Sequence, residues 1–226
     1  MKIKNYTIFD SNVTKNWDLL RESSNHNSYF IPNSKKEFLE ILNKWEPPKD
    51  VLNDFENLKK SFPLKKVISL GSGRCNLEYH LMNKFNLLCA VSDNSDSIKR
   101  INSFEIFNDA FYLDIKRDFK LNDSDNSIVL LSRIDTELED FELKNLFQTL
   151  NKNNVKLIYF IPAEILNLKT FLIKIKIILF RLLQFKSPVS WGYIRNLKGF
   201  NDLWKNHYQI LSKNKNLIIL VSNDTL

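Results

Sequence analysis

The chain has 226 residues, 43% of them apolar and 26% charged, which is ordinary for a globular protein and suffices to bury one domain with an extension, and its 12% aromatic content argues against disorder. Two cysteines (Cys75, Cys89) and three scattered histidines (His26, His80, His207) argue against a disulfide framework and a zinc cluster. The formal charge of +7 is unevenly laid: residues 151–226 carry 12 Lys/Arg against 3 Asp/Glu, and residues 1–150 carry 21 against 23. This points to an anionic partner of the last third (a phosphorylated small molecule, nucleic acid or a lipid surface), or else to a merely solvated lysine-rich face.

Residues 1–34 show no clear period, and Met1–Asn5 carries no apolar signal core, so a reduced, cytoplasmic chain is expected. Tyr29-Phe30-Ile31-Pro32 is an apolar patch after a polar loop. A helix is expected from Asn33 or Ser34, with Phe38, Ile41, Leu42 and Trp45 on one face and Pro47-Pro48 as its stop. A second carries Val51, Leu52, Phe55, Leu58 and Phe62 and is closed by Pro63. Residues 1–64 thus read as a loop with cover helices, and residues 65–226 as the main domain.

Val67–Leu70 is a short, almost wholly apolar run, as expected of a strand buried on both faces. It stops at Gly71-Ser72-Gly73, after which Leu77, Leu81 and Phe85 recur at helical spacing. Strand, glycine turn, helix is an arrangement that lets a ligand approach the backbone. A second strand, Leu87–Ser92, ends at Asp93, 20 residues after Gly73, where an acid can accept hydrogen bonds from two ribose hydroxyls. Asp93-Asn94-Ser95-Asp96 also reads as a turn and helix cap. A helix with Ile98, Ile101 and Phe104 follows, then a short strand, Ala110–Leu113, ending at Asp114. Ser127–Ser132 is the fourth strand, followed by a helix bearing Phe141, Leu143, Leu146, Phe147 and Leu150, and Val155–Ile161 is the fifth strand. Repeated units of this kind call for a parallel sheet with helices on both faces and a ligand at the strand carboxyl ends. Gly71–Gly73, Asp93, Asp114 and Ser132 all fall at such ends. Glu78 reads as a solvated helix residue, and His80 as packing on a helix face.

An insertion at about 163–206 follows. Within Ile165–Phe185, Leu172, Ile175, Leu179 and Leu182 share one helix face, and Ile173, Ile177 and Phe180 widen it. The segment is too short and too charged to span a bilayer. Burial against the domain is expected, with peripheral membrane contact through 171–185 as the alternative. Ser190–Asn196 places Trp191, Tyr193 and Arg195 in one aromatic, cationic loop, suited either to stacking on a ring substrate or to ordinary packing. The chain ends in two apolar runs around Lys213–Asn216, an antiparallel hairpin.

The Lys66–Tyr79 stretch resembles motif I of the class I S-adenosylmethionine-dependent methyltransferases. Gly71 and Gly73 match its first two glycines, Ser69 stands where an acid is usual, and Cys75 stands where a third glycine is. The resemblance implies a Rossmann-like α/β fold with a mostly parallel seven-stranded sheet, a C-terminal hairpin and N-terminal cover helices. It implies S-adenosyl-L-methionine as cofactor, held by Gly71, Ser72, Gly73, Asp93, Asn94, Asp114, Ile115 and Ser132. Asp93 would take the ribose, and Asp114-Ile115 the adenine. A loop acid is an equal account of Asp114, and Arg133 is either an anion ligand or a surface charge. Arg133, Trp191, Tyr193 and Arg195 are the candidate substrate contacts; Tyr29 and Phe30 form part of a lid or simply pack.

No residue declares itself as a catalytic base, and no metal is implied. No Asn-Pro-Pro-aromatic and no Pro-Cys motif follows strand four, which argues against nucleobase amine and cytosine carbon-5 methylation. The resemblance therefore implies O- or N-methyl transfer to a small-molecule or glycan acceptor. The alternatives are an RNA methyltransferase or a non-catalytic binding protein on the same fold. A dehydrogenase is disfavoured because Gly-x-Gly-x-x-Gly fails at Asn76.

Overall fold

A computed structural model describes residues 2–4, 17–22, 29–122, 126–183, 192–215 and 217–225. A seven-stranded sheet organises the chain. In spatial order its strands are β4 (Asp109–Tyr112), β3 (Leu88–Asp93), β2 (Lys66–Leu70), β5 (Ser127–Ser132), β6 (Leu157–Ile161), β9 (Leu217–Ser222) and β8 (Tyr208–Asn214). The first five are parallel; β9 and β8 close the edge antiparallel. Strand order reverses between β2 and β5, so a crevice opens at their carboxyl ends.

Alternation along the strands builds two cores. Val67, Cys89, Val91, Ile128, Leu130 and Tyr159 face one way. They pack under α2 (Lys35–Lys44), α3 (Lys49–Ser61), α4 (Asn76–Phe85) and α5 (Ser97–Ser103) through side chains such as Phe38, Phe55, Leu81 and Ile98. Ile68, Leu70, Val129, Leu131 and Phe160 face the other way, against α6 (Asp140–Lys152) and α8 (Leu197–Trp204). There Phe147, Phe160, Phe200 and Trp204 contact one another edge-on or stacked. Both cysteines are buried packing residues. The cover helices are pinned to the sheet by Tyr159, whose hydroxyl donates to the Val51 carbonyl at 2.6 Å.

Two short elements lie outside the expected pattern. β1 (Lys2–Lys4) pairs antiparallel with β7 (Tyr193–Arg195), and α1 (Trp17–Glu22) is a helix of six residues. The insertion also departs from expectation. α7 (Leu168–Leu183) is helical, but Leu168, Leu172, Ile175 and Leu179 are exposed rather than buried against the domain. A helix apolar nearly all round reads as buried; here one stripe of it faces solvent. Among the described residues no helix is long and apolar enough to cross a membrane.

Candidate functional site

The glycine turn leaves β2 at the crevice. Gly71 has φ +70°, and a Cβ there would meet Ile134 Cγ2 at 2.7 Å, so both its conformation and its neighbour require glycine. Ser72 ties the turn to β3: its N–H and its hydroxyl both donate to the Ser92 carbonyl, at 2.9 and 3.1 Å. Above Gly73 nothing lies within 4 Å of where a Cβ would stand. Its N–H donates to Asp93 Oδ2 at 2.9 Å, so turn and acid are joined directly.

A cleft of about 850 Å³ opens here, within the range of small-molecule sites. Gly71, Ser72, Gly73, Asp93, Asn94, Asp114, Ile115 and Ser132 all line it, as does Arg133. The strand ends thus bring together every residue expected for the cofactor. Asp114 at the rim accepts the Lys116 N–H at 3.1 Å and pairs with Arg117 at 3.1 Å, so it caps its own loop while facing the cleft. Tyr29 reaches the wall from the N-terminal side.

The insertion residues go elsewhere. Trp191 lies outside the described residues. Tyr193 and Arg195 do not line the cleft; their neighbour Ile194 does. Arg195 is 1% exposed, and its guanidinium donates to Asp140 Oδ1, the Asp135 carbonyl and the Leu138 carbonyl at 2.6–2.7 Å. The Tyr193 hydroxyl donates to Glu139 at 2.7 Å. Instead of facing a substrate, the two side chains strap β7 to the segment after β5, including its single 3₁₀ turn at Ile134–Thr136.

Three features of the site were not anticipated. The first is Glu78, expected to be solvated but 2% exposed and lining the cleft. The Ser69 hydroxyl donates to its Oε1 at 2.6 Å. Burial pushes its pKa up to about 7, with the Asp93 charge adding to the rise and the Ser69 hydrogen bond opposing it. Ser69, standing where an acid is usual, therefore holds a carboxyl brought in from α4. The second is Asn76, whose Oδ1 is buried without a partner at the cleft wall. An orphaned acceptor at such a place suits a ligand donor.

The third is Arg21 of α1, which forms a bidentate pair with Asp93, Nη1 donating to Oδ1 at 2.6 Å and Nη2 to Oδ2 at 2.9 Å. Both partners are buried, 6% and 4% exposed. The Ser95 N–H supplies a further bond to Oδ1 at 3.1 Å. With Gly73, four donors converge on one carboxylate. Asp135, just past β5, is wholly buried and does not line the cleft. It accepts the Ala163 N–H at 2.9 Å, and burial raises its pKa to about 6. Among the described residues no cluster of three or more His, Cys, Asp or Glu could hold a metal ion.

No protein-family model and no curated protein matches the chain. Solved structures do. PH0226 protein from Pyrococcus horikoshii OT3 superposes at TM-score 0.55 with 14% identity, over 77% of this chain and 89% of its own. Methyltransferase CalO6 superposes at 0.53 with 12% identity, over 84% of this chain and 64% of its own. PigF with SAH superposes at 0.50 with 11% identity, over 70% and 50%. The chain thus spans only about half to two thirds of several structures it resembles. At these identities the likeness establishes the fold, and the chain has the Rossmann-like fold of the class I methyltransferases.

Proposed function

We propose that this chain is an S-adenosylmethionine-dependent methyltransferase that acts on a small-molecule or glycan acceptor by O- or N-methyl transfer. The observation that carries the reading is the convergence of Gly71–Gly73, Asp93, Asn94, Asp114, Ile115 and Ser132 on one cleft at the strand-order reversal. The residues present fit the cofactor. The face above Gly73 is open, Asp93 stands where its carboxylate can take the ribose once Arg21 leaves it, Asp114 and Ile115 border a place for the base, and Asn76 Oδ1 awaits a donor.

When bound, this cofactor supplies an already activated methyl group, so the chain's own work is to bind and align. Ser132 and Arg133 face the cleft beside the glycine turn, where Arg133 can hold an anionic group of the acceptor. Tyr29, from the N-terminal side, and Ile194, from β7, also line the cleft. No side chain is assigned as general base. CalO6, named as a methyltransferase, and PigF with SAH share the fold and support the reading.

A second reading, a non-catalytic binding protein on this fold, is supported by Ser69 and Cys75, which stand where an acid and a third glycine are usual, together with the lack of an assigned base. Two measurements separate the readings. Calorimetry with S-adenosylmethionine and S-adenosylhomocysteine should give micromolar-range dissociation constants, on the order of −8 kcal/mol, and a loss of at least about tenfold in Asp93→Asn. Transfer of a labelled methyl group to a panel of hydroxyl- and amine-bearing acceptors should then give product. Binding without turnover on any acceptor selects the second reading, and no binding at all removes the first.

A further inference from the structure

Six residues of α1 are held over the end of β3 by three side chains. Asp18 accepts from the Ser95 hydroxyl and from the Asp96 N–H, the latter at 2.9 Å. Glu22 pairs with Arg100, which also donates to the Ile31 carbonyl at 2.7 Å. Between them Arg21 enters the cleft, bonds both oxygens of Asp93 and reaches the Ser97 hydroxyl at 3.3 Å. Its own carbonyl accepts the Ile31 N–H at 3.0 Å, which ties α1 to the loop beside Tyr29.

The chemistry of this contact is particular. A cis-diol offers a carboxylate two hydroxyl donors side by side. A guanidinium offers two parallel N–H donors in the same manner, with a full positive charge added. With Gly73 and Ser95 on the remaining positions, Asp93 has no room for a diol while Arg21 is present. Two charges this deeply buried are costly to part unless another partner takes over.

We propose that Arg21 is an internal stand-in for the ribose diol: α1 closes the nucleoside seat, and a nucleoside cofactor is admitted only as α1 lifts from Asp93. This rests on the methyltransferase reading above. Cofactor affinity is then reduced by the fraction of molecules in which Asp93 is covered. Occupancy of the cleft and release of α1 become one linked event, in which each favours the other.

The test is calorimetry with S-adenosylhomocysteine on the wild type, on Arg21→Ala, and on a variant carrying Asp18→Asn with Glu22→Gln. The last keeps Arg21 and loosens only the flanking contacts of α1. Hydrogen exchange of residues 17–22 is followed alongside, free and at saturation. The expected result is affinity raised about tenfold or more in Arg21→Ala and several-fold in the double variant. Protection of residues 17–22 should be lost on binding. If Arg21→Ala binds no more tightly than the wild type, or residues 17–22 stay protected at saturation, α1 is no gate, although the cofactor reading stands. Should all three proteins fail to bind, the cofactor reading falls and the gate falls with it.

Discussion

Glu78→Gln isolates a single buried carboxyl, and its effect can be worked from the structure. Glu78 is 2% exposed, and its pKa rises from 4.5 to about 7, chiefly through burial. The folded state therefore holds this proton more tightly than the unfolded chain. Stability from this group is fully present below pH 4.5 and is lost as pH climbs through 7. At about 1.4 kcal/mol per pH unit the loss comes to roughly 3 kcal/mol. Glutamine is close in shape, keeps an oxygen for the Ser69 hydroxyl and has no proton to lose. The two proteins should have similar stability near pH 4.5, and the variant should be ahead by roughly 3 kcal/mol at pH 8. For a chain of this size that is a Tm difference of roughly 6–12 °C. The assay is urea unfolding and thermal melting of both proteins from pH 4.5 to 8. Other carboxyls, Asp135 among them, titrate in the same window, so the difference between the proteins is read, not either curve alone. A gap that does not grow with pH would refute the reasoning, because Glu78 would then be ionised in the fold and balanced by a cation.

Arg195→Ala should destabilise the fold by about 3–5 kcal/mol, since it removes a buried cation and leaves Asp135, Leu138 and Asp140 short of a donor; urea unfolding checks this, and a change within 1 kcal/mol would return Arg195 to the substrate-contact role. Gly71→Ala should lose most cofactor affinity, because the new Cβ would press on Ile134 Cγ2 at 2.7 Å in a left-handed backbone conformation; calorimetry of the variant, with its fold verified by circular dichroism, measures it. Tyr159→Phe should cost about 1 kcal/mol by leaving the Val51 carbonyl without its donor, read as a shift in urea midpoint at constant slope.

Much of the fold was legible because the central strands are short apolar runs cut by strong punctuation. Val67–Leu70 stops at a glycine, Val155–Ile161 at Pro162, and the hairpin turns within Lys213–Asn216. The observed strands differ from those expectations by one or two residues at their ends. The residues that line the cleft were legible for the same reason: those expected to hold the cofactor stand at or just beyond strand ends, and the sheet brings strand ends together.

What escaped depends on contacts distant in sequence. Arg21 lies 72 residues from Asp93 on a helix too short to show a period. Its only sequence signal is the charge pattern of Asp18, Arg21 and Glu22, which names no partner. The pairing of β1 with β7 spans nearly the whole chain, and Tyr193 and Arg195 find their partners at Glu139, Asp140 and the Asp135 and Leu138 carbonyls, more than 50 residues earlier. Glu78 could have been read better. It stands three and seven residues before Leu81 and Phe85, which places it on the buried face of α4.

A crystal structure of the protein grown with S-adenosylhomocysteine tests the central claim most directly. The account predicts a nucleoside lying across Gly71–Gly73 with both ribose hydroxyls on Asp93 and the Arg21 guanidinium withdrawn. An empty cleft at millimolar ligand, with Arg21 still on Asp93, would contradict it.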